Sequence, residues 1–278
     1  MSTTSISTAP DLAAVKAAQQ RTWSSGDYHA VAARITVIAE RLVDSADLRA
    51  GSLVLDVASG SANATLAAAR SGCDAVGIDY VPELLQRGRE RARAEGLDVE
   101  LVEGDAEALP VDDGAFDAVL SVVGVMFAPD HRRAAAELLR ACRPGGTIAL
   151  ANWTPRGFVG QLLRTVGAHV PPPAGVASPL LWGTREHLDD LLGDGVASLG
   201  VRERSYTFRS PSAQAFVDFF RDFYGPTHVA FGKLDDAGKV ALERDLLALV
   251  REHDRLGLGD GAPVAIDAEY VEAIAIRA

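Results

Sequence analysis

The chain has 278 residues, 48% of them hydrophobic and 23% charged, which suits a globular protein with a full core and excludes a largely disordered one. Asp plus Glu number 38 against 27 Lys plus Arg, and the formal charge of -11 repels polyanions, so nucleic acid is a poor partner for it. The longest apolar stretch, residues 118–128, falls short of the roughly 18 residues that span a bilayer, so no membrane partner is expected.

Residues 1–10, "MSTTSISTAP", are polar and lack a basic start or an apolar run. They are expected to form a disordered tail and not an export signal, which places the protein in the cytoplasm. Residues 11–50 carry two helical patterns, "DLAAVKAAQQ" and "YHAVAARITVIAERLV". The second sets Ile35, Ile38 and Leu42 on one face, and the pair is expected to pack on the core or fold over its mouth as a lid.

From Ser52 onward apolar runs alternate with helix-period segments. Strands are expected at residues 53–57, 74–79, 99–104, 116–123 and 147–152. Pro82 opens a helix that Gly96 closes, and Asp130 is an N-cap for the helix that follows. This alternation predicts a doubly wound, Rossmann-like α/β fold whose parallel strands are covered by helices on both faces.

Further on, residues 184–192 read as a helix, 203–208 as a strand and 270–277 as a closing strand. The last two complete a seven-stranded sheet, parallel with one antiparallel edge strand. Roughly sixty residues separate them, too many for a hairpin turn, and predict a helical insertion over residues 211–265 between core segments 51–210 and 266–278. Phe216, Phe219, Phe220 and Phe223 fall at helical spacing within it. Cys73 and Cys142 lack metal-ligand spacing and read as reduced packing residues, and no carboxylate grouping marks a metal site.

In a doubly wound sheet ligands bind outside the carboxyl ends of the strands where strand order reverses, beside the turn after the first strand. Here that turn is "ASGSANA", whose small residues Ala58, Gly60, Ala62 and Ala64 let a ligand lie against main chain. The same smallness also serves tight helix–strand packing. Asp56 beside the turn disfavours a pyrophosphate and favours a ligand with an ammonium or sulfonium group. Asp79, ending the second strand, is placed to accept from two ribose hydroxyls, and Asp105, ending the third, from an adenine amino group. Each acid alone also reads as a solvated strand-end cap, whereas three on one rim point to a site.

The segments "VLDVASGSANA", "GIDYVPELL", "VEGDAEALP", "FDAVLSVVGVMFAPD" and "LRACRPGGTIALANW" together resemble the class I S-adenosylmethionine-dependent methyltransferases, closest to the ubiquinone/menaquinone C-methylase-like branch. The resemblance implies S-adenosylmethionine as cofactor and methyl transfer to a small-molecule acceptor on O, N or C. It implies that Ala58, Ser59 and Gly60 contact the methionine part, Asp79 the ribose, and Asp105 with Ala106 the adenine. Trp23, Tyr28, Asn63, Tyr80, Leu84, Gly104, Ser121, Val122 and Val123 complete the candidate cofactor set with Asp56. Family members usually carry glycine where this chain has Ala58 and Ala62.

Methyl transfer from a sulfonium is an in-line displacement that placement and desolvation accelerate, so a dedicated base is optional. Trp23, Tyr28 and Phe127 are candidates to hold the sulfonium by cation–π attraction. Trp23 and Tyr28 equally suit anchoring of the helices to the core. Many relatives have a histidine pair after the fourth strand, where this chain has Met126 and Phe127. His131 is then the candidate base, and equally reads as a solvated first-turn residue. Phe127, Asn152, Trp153, Phe220 and Tyr224 are candidate acceptor contacts, with core packing the competing reading for the aromatic helix.

Two other functions compete. A nicotinamide-dependent oxidoreductase would use the same sheet, but Asp56, the missing G-x-G-x-x-G and the missing Tyr-x-x-x-Lys pair oppose it. A non-catalytic binding or scaffold protein would keep the fold without turnover. The acidic balance and lack of a basic module disfavour RNA methylation. The chain is expected to act as a monomer or homodimer.

Overall fold

The computed structural model describes residues 11–278, and the tail expected over residues 1–10 lies outside the described residues. The apolar runs pair as β1 (Leu53–Val57), β2 (Asp74–Asp79), β3 (Glu100–Glu103), β4 (Phe116–Val122) and β5 (Cys142–Trp153). These run parallel in the spatial order β3-β2-β1-β4-β5. Val54, Leu55, Val119 and Leu120 are fully buried on successive positions, as strands covered on both faces require.

The crossovers are α4 (Asn63–Arg70), α5 (Pro82–Glu95) and α6 (His131–Ala141). Local chemistry sets their ends. Pro82 occupies the first turn of α5 and Gly96 terminates it in the left-handed region at φ 67°. The Asp130 side chain accepts from the Arg133 N–H at 3.0 Å and so caps α6. After β1 the chain builds outward through β2 and β3, then returns to lay β4 on the other side of β1. The carboxyl ends of β1 and β4 therefore form the switch point.

β6 (Val196–Ser210) and β7 (Val264–Arg277) extend the sheet beyond β5. The one antiparallel strand expected toward this edge is β7, which inserts between β5 and β6 and runs antiparallel to both. Both strands are longer than side-chain alternation indicates, because 14 cross-strand partners hold them in register whatever their side chains. β5 likewise reaches back through Pro144 and Gly145, with an irregularity opposite Phe116–Ala118.

Ahead of the sheet stand α1 (Leu12–Trp23), α2 (Tyr28–Arg34) and α3 (Thr36–Ala46). The second N-terminal helix of the sequence reading is thus two helices, broken at Ile35 (φ -100°, ψ 13°) where β-branched residues 35–38 weaken the helix. α3 buries Ile38 and Leu42 completely against the core. α7 (Phe158–His169) and α8 (Arg185–Leu192) follow β5, and α9 (Ala213–Phe223), α10 (Gly225–Lys233) and α11 (Asp236–His253) stand between β6 and β7. Among the described residues no helix is long and apolar enough to cross a membrane.

Candidate active site

Three carboxylates reach one cleft because β1, β2 and β3 are parallel neighbours that all end on the same edge. Asp56, Asp79 and Asp105 line this cleft together, with the loop after β1 as its floor and α1 and Tyr28 over its mouth. It holds about 850 Å³ of empty space, its open mouth included.

The floor is strained. Ala58 (φ 54°), Ala62 (φ 70°) and, from the loop after β4, Val123 (φ 45°) are three of the four non-glycine residues in the left-handed region among the described residues. Such a conformation costs an L-residue about 1–2 kcal/mol, and it persists where surrounding contacts over-determine it, typically at ligand sites. The contacts here are visible. Ser59 N–H donates to the Ile78 carbonyl at 2.9 Å, Gly60 N–H to Asp79 Oδ2 at 2.8 Å, and a Cβ on Gly124 would overlap the Ala58 carbonyl oxygen. The loops after β1 and β4 therefore pack main chain on main chain.

Asp79 is 6% exposed, and its second oxygen accepts from the Val81 N–H at 2.9 Å. Burial pushes its pKa up to about 6, against these backbone hydrogen bonds. Asp56 is 2% exposed and accepts at Oδ2 from the Thr65 N–H (2.9 Å) and hydroxyl (2.8 Å), which pins the first turn of α4. Burial, with the Asp79 charge adding to it, pushes Asp56 up to about 7. Neither acid has a cationic partner among the described residues. Asp105 accepts from the Glu107 N–H at Oδ1 (2.9 Å) and from Lys16 Nζ at Oδ2 (2.6 Å).

Two polar atoms on the lining residues, Ser59 Oγ and Gln19 Oε1, are buried without a hydrogen-bond partner. Ser59 Oγ faces the back of the loop, 3.0 Å from where a Cβ on Gly77 would lie. The aromatic wall is Trp23, Tyr28 and Phe127, with ring centroids 5.1 Å (Trp23–Tyr28) and 4.8 Å (Trp23–Phe127) apart. From α5, Arg91 donates to the Ser61 carbonyl (2.6 Å) and to Asn63 Oδ1 (2.7 Å), steadying the end of the floor loop.

Of the candidates from the sequence, Trp23, Tyr28, Asp56, Ala58, Ser59, Gly60, Asn63, Asp79, Tyr80, Leu84, Asp105, Ala106, Val122, Val123 and Phe127 line the cleft. The others do not. Gly104 sits behind the wall, where a Cβ would press on Ile78 and Pro110, and its N–H donates to the Asp79 carbonyl. Ser121 is fully buried, donating to the Val57 carbonyl (2.7 Å) and accepting from the Val125 N–H (2.9 Å), so it ties β4 to β1. Asn152 is fully buried within the sheet, and Trp153 packs on Phe208 and Tyr270. Phe220 stacks on Phe216 at 4.5 Å in the core, and Tyr224 stands behind the lining, its ring 5.9 Å from Trp23.

The candidate base also moves. His131 is 5% exposed and turned into the core, its Nδ1 2.9 Å from Nε2 of His187 and its ring against Trp182. Burial, then the neighbouring His187, lowers its pKa to about 4. The first turn of α6 rolls this side chain toward α8, away from the cleft. Sequence reasoning missed Lys16, Gln19 and Glu107, all on the lining. Lys16 and Gln19 are three apart on one helix, the only signal that would have drawn attention to them.

Residues 55–150 match the family model described as a methyltransferase domain. An uncharacterized protein of Mycobacterium tuberculosis is 42% identical over 244 residues, covering 86% of this chain and 88% of its own. The demethylmenaquinone methyltransferase of Thermus thermophilus is 37% identical over 136 residues, 48% of this chain and 62% of its own length. Among solved structures, a putative methyltransferase from Bacillus halodurans superposes with a TM-score of 0.58 at 18% identity, covering 86% of this chain and 97% of the other. At that identity the likeness shows the fold.

Proposed function

Because the chain belongs to the class I S-adenosylmethionine-dependent methyltransferases, in their quinone C-methylase-like branch, we propose that its cleft binds S-adenosylmethionine and methylates a small-molecule acceptor. The observation that carries the proposal is the row of Asp56, Asp79 and Asp105 on one cleft, two of them buried with no cationic partner among the described residues.

The chemistry of the lining supports this ligand from end to end. Asp79 has lone pairs left for ribose hydroxyls after its two backbone bonds, and Asp105 with the Ala106 main chain suits the adenine edge. The floor from Ala58 to Gly60 offers bare main chain to the amino-acid end. Asp56 supplies a negative field toward an ammonium or sulfonium. When bound, S-adenosylmethionine supplies an electrophilic methyl group on a positively charged sulfur.

The protein's own residues then place and dry the reactants. Trp23, Tyr28 and Phe127 exclude water and offer ring faces to positive charge, an attraction worth about 0.5–2 kcal/mol. Among the described residues no histidine lines the cleft, and an acceptor whose nucleophilic atom needs no histidine base suits it. Titration calorimetry at pH 7.5 tests the reading. S-adenosylmethionine and S-adenosylhomocysteine are expected to bind in the micromolar range and NADH to give no heat. Binding of NADH with silence from both sulfur compounds refutes the proposal.

A further inference from the structure

α1 covers the cleft without being buried in it. None of its 12 residues is fully buried, so apolar packing alone does not fix where this helix lies. Contacts at its two ends do. At the carboxyl end, Trp23 packs edge-on against Phe127 and Tyr28, and Gly26 (φ 70°) turns the chain into α2 against the Phe223 carbonyl, where a Cβ would sit 3.0 Å from the oxygen. At the amino end, Lys16 Nζ lies 2.6 Å from Asp105 Oδ2 and 2.5 Å from Glu107 Oε2. One turn later, Gln20 Nε2 donates to the Tyr80 carbonyl at 2.5 Å.

The carboxylates that Lys16 grips belong to the rigid frame. Glu107 is 4% exposed, and its other oxygen accepts from the Asp130 N–H at 2.8 Å. Asp105 is held by its bond from the Glu107 N–H. Burial disfavours the ammonium, but its hydrogen bonds to Asp105 and Glu107 outweigh that, and the Lys16 pKa is raised. The lysine is therefore charged throughout the neutral range, and among the described residues it is the only basic side chain on the lining.

We propose that Lys16 is a positioning residue that latches α1 across the adenine end of the cleft, so that cofactor enters and leaves only when its pairs with Asp105 and Glu107 open. The residues 24–27 between α1 and α2 are the hinge, and Trp23 stays near the pivot. This inference rests on the cleft being an S-adenosylmethionine site. Its distinctive consequence is sensitivity to salt, because the part-exposed pair of Lys16 with Asp105 weakens as ionic strength rises while the apolar contacts at Trp23 do not.

Lys16→Met keeps the aliphatic stem and helix propensity while removing the charge, and Lys16→Arg restores it. In the ligand-free protein, amide hydrogen exchange over α1 is expected to quicken at least tenfold in Lys16→Met, with β1 and β4 unchanged. Raising NaCl to about 0.5 M is expected to quicken α1 exchange in the native protein and not in the variant. By stopped-flow fluorescence, S-adenosylhomocysteine is expected to leave Lys16→Met at least tenfold faster than the native protein, with Lys16→Arg within threefold of native. Exchange over α1 within twofold of native in Lys16→Met overturns the latch. Faster exchange with an unchanged dissociation rate overturns its gating role. Faster exchange with no S-adenosylhomocysteine binding by either protein instead overturns the cofactor reading, and the gating role with it.

Discussion

Asp79→Asn is expected to weaken S-adenosylhomocysteine binding by at least about a hundredfold. Hydrogen bonds to an ionised group contribute about 1.5–3 kcal/mol each, so losing a charged acceptor for two ribose hydroxyls removes about 3–6 kcal/mol. The amide compounds the loss. Asp79 accepts from Gly60 N–H with one oxygen and from Val81 N–H with the other. Asparagine has one carbonyl oxygen, so its NH₂ must face one of these donors and disturb the floor loop as well. Titration calorimetry reads the affinity, and a melting curve shows that the variant is folded. An affinity within fivefold of native would remove Asp79 from the site.

The second large effect is on pH. Burial raises Asp56 to about 7 and Asp79 to about 6, so between pH 7.5 and 5.5 both acids go from mainly ionised to mainly protonated in the ligand-free protein. A cationic ligand favours the ionised forms, so the affinity for S-adenosylmethionine is expected to fall by at least about tenfold over that interval. Near pH 6.5, binding is expected to release protons, visible as a calorimetric heat that depends on the buffer's ionisation enthalpy. An affinity independent of pH, or proton uptake, contradicts the placement of these acids against positive charge.

The sign for stability is the reverse of the usual carboxylate. The folded protein binds these two protons more tightly than the unfolded chain, so their contribution to stability is lost as pH rises from about 4 to about 7. His131, depressed to about 4 by burial, opposes this over the lower part of the range, since the unfolded chain takes up its proton first. The net loss is therefore about one carboxylate's worth between about pH 4 and 6, is nearly cancelled between about 6 and 6.5, and resumes from there to about 7 as Asp56 finishes titrating.

The features legible in the sequence were those with a local cause. β1 and β2 fall at the expected bounds because each is a short apolar run with an aspartate at or next to its end, and Pro82, Gly96 and the Asp130 side chain set helix ends locally. The three acids could be assigned to one rim because parallel neighbours end on one edge, whatever fills the loops between them. The full lengths of β6 and β7 were not legible, since their outer halves are held by each other's backbone across the insertion rather than by any alternation of side chains.

The same distinction separates the site residues. Lys16 meets Asp105 across 89 positions of sequence, and no pattern near either announces the other. His131 and Trp153 are misplaced by chain position alone. Each follows a strand end closely, but the roll of α6 takes one into α8, and pairing with β7 takes the other beneath the sheet's cover. Phe220 and Tyr224 lie on and after a helix whose aromatic face is required by the core before any ligand is considered.

A crystal structure of the complex with S-adenosylhomocysteine tests the central claim most directly. The expected density has ribose hydroxyls on Asp79, the adenine edge against Asp105 and Ala106, and the amino-acid end along Ala58 to Gly60, beneath Trp23. A ligand seated in another cavity, or in this one with Asp79 making no contact to it, would contradict the account.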